Sequence, residues 1–441
     1  MTERKLSHHS LRFEMTNELH ARPFMALGAP GRVLMLAFTP EEGAERRDPE
    51  ADRKHLVSFL ARHGGLEPTP HSNQFDADLG RFQVKWERHA EFVSYILSEE
   101  APSEVLFDRK LAQVFPQSWL DEAPGRVVAA IEIEVIRAES AEAAEALMSE
   151  GPLVRAFSRE SLATARTLDG SALSVGDFRI HEGGFSRFAI IVHGNAGPRR
   201  IGRAVQRLIE IECYRSLAML ALPVARDAAP VLKEIDAALG SLTEIAMGEH
   251  SNGTEQAILD KLTDLSAQIE ALSASTAFRF AATRAYDSIV HERIAMMREQ
   301  RLIGRQLFAE FMLRRFDPAM RTCQAVEQRI EDLSTRANRI AALLRTRVDV
   351  ALEAQNQKLL MSMDKRAALQ LRLQETVEGF SVVAISYYAV NLVGFALYPL
   401  NVTQGLGLSK DGLTALVTLP TVVIVALFLR RIRRRVSESG T

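Results

Sequence analysis

Apolar and polar positions divide this chain into three stretches with different periods. Up to about residue 195 the apolar runs are short and β-rich or alternate at period two. Segments 33–38, 81–86, 91–97, 127–136, 178–181 and 188–193 read as strands, and 52–63 and 141–148 as helices. From residue 198 apolar residues recur at threes and fours. Ala204, Leu208, Ile211 and Leu217 mark one helix, ended by Pro223. Ile258, Leu262, Leu265, Ile269 and Leu272 mark a second, opening at Asn252-Gly253 with Thr254 as N-cap. A third starts at Asp317 as N-cap with Pro318 in the first helical position. Its stripe is Val326, Ile330, Leu333, Ala337, Ile340 and Leu344, and residues 319–378 hold neither glycine nor proline. About sixty residues at ~1.5 Å each predict a rod of roughly 90 Å.

The rod runs into the third stretch. Residues 382–400 (VVAISYYAVNLVGFALYPL) and 413–429 (LTALVTLPTVVIVALFL) carry no charge. Each falls in the range of about 17–25 residues needed to cross a bilayer. The competing reading, a buried helical hairpin in a soluble bundle, demands two adjacent uncharged runs of a length rare in soluble cores. Arg430, Arg431, Arg433, Arg434 and Arg435 follow the second run, whereas the connecting turn has only Lys410. The positive-inside rule then puts the C-terminus, and with it the large N-terminal region, in the cytoplasm.

The expected fold is therefore an α+β cytoplasmic domain (1–195), a helical hairpin with a long stalk helix (196–378), and a two-helix transmembrane hairpin with a basic tail (379–436). Gly31-Arg32-Val33 is echoed by Gly125-Arg126-Val127, and Gly80-x-Phe82 by Gly176-x-Phe178. These echoes suggest a duplicated β-α-β-β unit in the first domain. The helical stripes fit a bundle within one chain or an interface between identical subunits. A long rod on a short membrane hairpin is hard to stabilise alone, which favours a homo-oligomer.

Composition changes this picture little. Lys and Arg total 54 against 56 for Asp and Glu, a net charge of -2 that argues against a general nucleic-acid binder. Cys213 and Cys323 are far apart, with no Cys-x-x-Cys pair, as expected in a reducing compartment. The first thirteen residues are polar and do not read as a secretory signal.

No Walker-type loop, no Gly-x-Gly-x-x-Gly after a strand and no Gly-x-Ser-x-Gly elbow is present, so an enzyme is not expected. His8, His9, His20, His63, His71 and His89 lack the i, i+4 helical spacing of zinc ligands. Two polar patches are candidates for a ligand or interface. Glu18, His20 and Arg22 precede Pro23-Phe24, which otherwise reads as a helix end docking Phe24 into the core. Trp86 and Arg88 share one strand face, which otherwise reads as a half-buried strand end. In the first span Tyr387 and Asn391 share a helical face. Polar groups at that depth either bond a neighbouring helix or line a water-filled path. Glu375 and Glu378 lie just before the span, and in a symmetric ring Glu378 would form a carboxylate ring.

Three segments, NELHARPF (17–24), WERH (86–89) and EGFSVVAISYY (378–388), resemble a bacterial family of predicted membrane-anchored proteins of unknown function. The resemblance implies the bacterial inner membrane and lends no activity. A more distant likeness is architectural. A cytoplasmic α/β domain, helical hairpins, a very long helix entering the first span, a short outer turn, a second span and a basic tail resemble CorA-type divalent-cation channels, which are pentamers. That likeness implies a pore lined by Tyr387, Asn391 and Asn401, with Glu378 at its inner mouth. A divalent cation would be the transported or regulatory ion, and no other cofactor is implied. The family's Gly-Met-Asn signature is absent, and Tyr398-Pro399-Leu400-Asn401 stands in its place. The alternative is a membrane-anchored scaffold or regulator whose cytoplasmic domain binds a ligand or partner, with lipid and its own copies as neighbours.

Overall fold

The computed structural model describes residues 7–13, 15–16, 24–40, 47–70, 72–149, 151–247, 252–397 and 410–438. In chain order the elements are β1 (Gly31–Thr39), α1 (Pro49–His63), β2 (Gln74–Asp78), β3 (Gln83–Arg88), β4 (Val93–Glu99), α2 (Gln117–Asp121), β5 (Arg126–Arg137), α3 (Ala141–Leu147), α4 (Pro152–Arg155), β6 (Ala163–Thr167), β7 (Ala172–Ile180), β8 (Ser186–Val192), α5 (Pro198–Met219), α6 (Ala221–Met247), α7 (Asn252–Met297), β9 (Gln300–Arg301), α8 (Phe308–Arg315), α9 (Asp317–Leu397) and α10 (Lys410–Glu438). They fall into two units. The first is Met1–Glu249 with Ala257–Ile340, and the second is His250–Gln256 with Ala341–Thr441.

The first unit is built on a mixed sheet with strand order β2-β3-β4-β1-β5-β8-β7-β6-β9. Its central strands are covered on both faces, so β1 (GRVLMLAFT) is a nearly continuous buried run rather than an alternating one. On one face Val33, Met35, Ile131, Ile133, Val135 and Ile190 pack against the apolar side of α5, where Ile201, Leu208 and Ile211 are buried. Gly202 of α5 lies so close to the chain that an added Cβ would fall 1.8 Å from the Met25 carbonyl. The other face carries two separate clusters. Leu34, Leu36, Trp86 and Tyr95 meet Phe59 of α1 and Trp119 of α2. Leu173, Val175 and Ile191 meet Ala144 of α3 and Leu153 of α4.

Local signals explain most helix borders. Asp48 caps α1, accepting a hydrogen bond from the Glu50 amide at 2.9 Å, Pro49 opens the helix, and Gly64 closes it at φ 71°. α5 ends at Met219, close to the stop that Pro223 suggested, and a second helix, α6, follows at once. Pro223 lies in its first turn, where a missing amide costs nothing. β2 and β6 are five residues each and were not legible as strands. The strands of the two halves occupy mirrored places in the sheet, 2-3-4-1 and 5-8-7-6. Yet β4 is antiparallel to β1, whereas β8 is parallel to β5. Gly80 lies at the β2–β3 turn and Gly176 in the middle of β7.

The predicted stripe of α9 is buried from Val326 to Ile340, beside α6 and α7. Arg329 and Arg336 reach Asp236 of α6 at 2.9 Å each, and Arg284 of α7 pairs with Glu327. In the second unit the picture inverts. Leu359, Leu360, Met361, Met363, Leu369, Leu371 and Leu373 are all more than half exposed. Two stretches are long and apolar enough to cross a membrane, the end of α9 (mean hydropathy 1.8) and Thr414–Ile432 (2.0). Ser386, Val390 and Thr421 are the buried residues of these stretches among those described.

Candidate functional site

The predicted site residues are scattered. Glu18, His20, Arg22 and Asn401 lie outside the described residues. Trp86 is 1% exposed and belongs to the aromatic core under α1 and α2, so it presents no face to a ligand. Arg88, beside it on β3, is bound to the Asn73 side chain. The opposite face of β3 is also buried, with Lys85 paired to Glu87 at 3.1 Å. In the apolar part of α9, Tyr387 is 66% exposed and forms an edge-on pair with Tyr388. Asn391 spends its amide on the Tyr387 carbonyl at 3.0 Å, within its own helix. Glu378 accepts from Gln374 at 3.4 Å, and with Glu375 and Arg430 it lines a cleft of about 880 Å³ between α9 and α10.

The densest chemistry lies elsewhere, on the sheet face between the two apolar clusters. The IEIE run of β5 puts Ile131 and Ile133 against α5 and turns Glu132 and Glu134 to the other side. There they meet Arg32 of β1, Arg187 of β8 and the loop 100–111. Arg32 donates to Glu99 at 2.9 Å and to Asp108 at 3.0 Å. Glu134 accepts from the Ser103 hydroxyl at 2.5 Å and the Phe107 amide at 2.9 Å. Arg187 stacks over the Phe107 ring at 5.0 Å and lies 3.7 Å from Glu132. The enclosed space is about 20 Å³, the size of one water.

Two features separate this cluster from an ordinary buried ion pair. The first is incomplete bonding: Arg32 Nε, Asp108 Oδ2, Glu132 Oε2 and Arg187 Nε are buried without a hydrogen-bond partner. The second is backbone strain in the covering loop, where Phe107 and Arg109 hold φ of 57° and 58°. Non-glycine residues rarely adopt that region, and strain of about 1–3 kcal/mol persists only where the surroundings enforce it. Arg109 is held by the Glu182 carbonyl and packs on Gly183, in the β7–β8 turn. Burial pushes the Glu132 carboxyl up to about 7, against the downward pull of Arg187 and Arg109. Burial also raises Glu134, less so because Ser103 and the Phe107 amide bond its charged form. A carboxyl poised near neutral pH can take up or release a proton in that range.

A family model described as a protein of unknown function, DUF3422, matches residues 7–436. The chain belongs to the DUF3422 family. No curated protein matches it. Among the described residues of this DUF3422 protein, no three His, Cys, Asp or Glu side chains converge to hold a metal ion. Both cysteines are buried and free, and burial raises the Cys213 thiol. Sequence reasoning missed Glu132 and Glu134 although their signal is present. Two carboxylates alternate with isoleucines in a strand whose neighbours on both sides are apolar, which buries them on one face.

Proposed function

We propose that this DUF3422 protein is a membrane-anchored regulator of the bacterial inner membrane. Its sheet domain binds a ligand or partner in the cytoplasm, and its two C-terminal helices serve as the anchor, with both termini inside. The observation that carries the reading is the contrast between its polar sites. The sheet domain gathers Arg32, Asp108, Glu132, Glu134 and Arg187 in one buried cluster under a strained loop, with several of their charged atoms lacking hydrogen bonds. Among the described residues of the apolar stretch, by contrast, Asn391 bonds within its own helix and the Ser386 hydroxyl is the buried polar atom left without a hydrogen bond. The exposed leucines and methionines of α9 beyond Ile340 support self-association of the stalk, as a homo-oligomer whose subunit number a mass measurement would give.

A second reading, a CorA-like cation channel without the Gly-Met-Asn signature, draws on one observation. Glu375 and Glu378 line the cleft at the basic end of the hairpin, although Arg430 shares that cleft and would repel a cation. Under this reading Tyr387, Asn391 and Asn401 line the pore and Glu378 its mouth. Magnesium or cobalt flux into liposomes holding purified full-length protein tests the pair. Flux no greater than in empty liposomes is expected. Flux that Asn391→Leu abolishes would refute the anchor reading.

A further inference from the structure

A second recess opens in the first unit, remote in sequence from the cluster under loop 100–111. Its volume is about 230 Å³, room for about eight waters at ~30 Å³ each. One wall is aromatic. Phe178 stacks on Phe311 at 4.5 Å, and Phe316 lies beside them. The other wall is cationic, lined by Arg179, Arg215 and Arg315.

The strands create this wall by an irregularity. Register between β7 and β8 breaks between Gly176 and Ile180, and inside the break Phe178 holds φ 54°. Gly176 is needed there, because an added Cβ would fall 2.4 Å from the Phe188 ring. The break lets Phe178 meet α8 while Arg179 faces the recess rim. Strain of this kind clusters at binding sites.

Charge accounting narrows the ligand. Arg215 gives Nε and Nη2 to Glu212 at 2.8 and 2.7 Å, and lies over the Phe178 ring. Arg179 reaches Glu160 at 3.2 Å across an exposed rim. Asp177 is fully buried and already occupied, by the Ser158 amide at 2.8 Å and His181 at 2.9 Å. Arg315 has no ion-pair partner among the described residues. Ser161 also lines the recess. It is 4% exposed, and its buried hydroxyl has no hydrogen-bond partner. One uncompensated guanidinium, one idle hydroxyl and an aromatic wall remain.

We propose that this recess binds a small organic monoanion, a carboxylate carried on an aromatic or branched aliphatic body. The carboxylate meets Arg315 and Ser161, and the apolar body lies against Phe178, Phe311 and Phe316. One guanidinium free of ion pairs, with the Asp177 carboxylate also in the lining, suits a monoanion better than a phosphate dianion. The assignment rests on the reading of the sheet domain as a ligand-binding module and gives that ligand its chemical class.

Fluorine NMR of 4-fluorobenzoate with full-length protein in detergent tests it, with 4-fluorobenzyl alcohol as neutral control. Saturable binding of the carboxylate is expected, displaced by benzoate and not by inorganic phosphate. Losing a charged hydrogen bond of ~1.5 kcal/mol or more makes Arg315→Gln bind at least about tenfold more weakly, and Ser161→Ala about threefold. Both variants should keep the wild-type melting temperature, since Arg315 is exposed and Ser161 bonds nothing. Equal binding of acid and alcohol, displacement by phosphate, or unchanged affinity in Arg315→Gln would overturn the proposal. Cation flux with benzoate binding intact would overturn the anchor reading and leave the recess assigned. Absent binding without flux would do the reverse.

Discussion

Replacing Glu132 by glutamine makes the protein less sensitive to a rise in pH from about 4.5 to about 7, and the size of the effect follows from the site. The carboxyl titrates near 4.5 in the unfolded chain and at about 7 in the native one. That gap, at ~1.36 kcal/mol per pH unit, is about 3 kcal/mol. The sign follows from proton uptake. Between the two values the native state keeps a proton that the unfolded state releases, so stability falls as pH rises from about 4.5 to about 7 and is level above. Between pH 5 and pH 8 this group costs the wild type about 2.5 kcal/mol, and Glu132→Gln, which mimics the protonated form, avoids that loss. Both tryptophans, Trp86 and Trp119, lie in the apolar cluster under α1 and α2, so their fluorescence reports unfolding of this sheet. Urea midpoints of the full chain in detergent should nearly coincide for variant and wild type at pH 5. At pH 8 the variant should lead by on the order of 1 M, for m of about 2–3 kcal/mol/M. Midpoints that stay parallel across this range, or a variant weaker than wild type at pH 8, would refute the account of Glu132 as a neutral-pH carboxyl.

Three further outcomes are expected. Arg32→Met strands Glu99 in a largely buried site and leaves Asp108 with Lys110 alone, and should cost about 3 kcal/mol, read as a drop in melting temperature. Gly176→Ala drives a methyl into the Phe188 ring and should cost about 1–3 kcal/mol, with a loss of 4-fluorobenzoate affinity because the neighbouring bulge must shift. Met361→Cys, on the exposed part of α9, should cross-link between copies under mild oxidation in membranes, since Cys213 and Cys323 are buried; a monomeric product would count against the stalk as a self-association surface.

The periodic parts of the fold were legible. The stripes of α5 and α9 are buried where threes and fours placed them, and that of α7 at Ile258, Leu262 and Ile269 with Leu265 and Leu272 half-buried, because a helix long enough to show its period reveals its core side. The helix of 221–247 was not legible, since Pro223 read as a stop although a proline is harmless at a helix start. Five-residue strands such as β2 and β6 carry too few side chains for a period to emerge. The candidate sites were least legible. Trp86, singled out because it shares a strand face with Arg88, is part of the core. Arg32, Glu132 and Arg187 come together only because β1, β5 and β8 are neighbours in the sheet, a pairing that local sequence does not encode. The expected family of unknown function agrees with the family model that matches the chain, and the chemistry had to be read from the fold.

The sheet treats its two borders differently. On one side Gln300 and Arg301, the short strand after α7, bond to Arg166 and Ala165 and so cover the outermost part of β6 with the protein's own chain. On the other side β2 pairs, among the described residues, with β3 alone, and its outer backbone groups are a template for a foreign strand. Asp76 and Asp78 stand exposed along that rim, and a second molecule approaching in the same way would bring like charges together. Neutralising both aspartates should therefore turn a border that resists strand exchange into one that recruits copies of itself into extended aggregates.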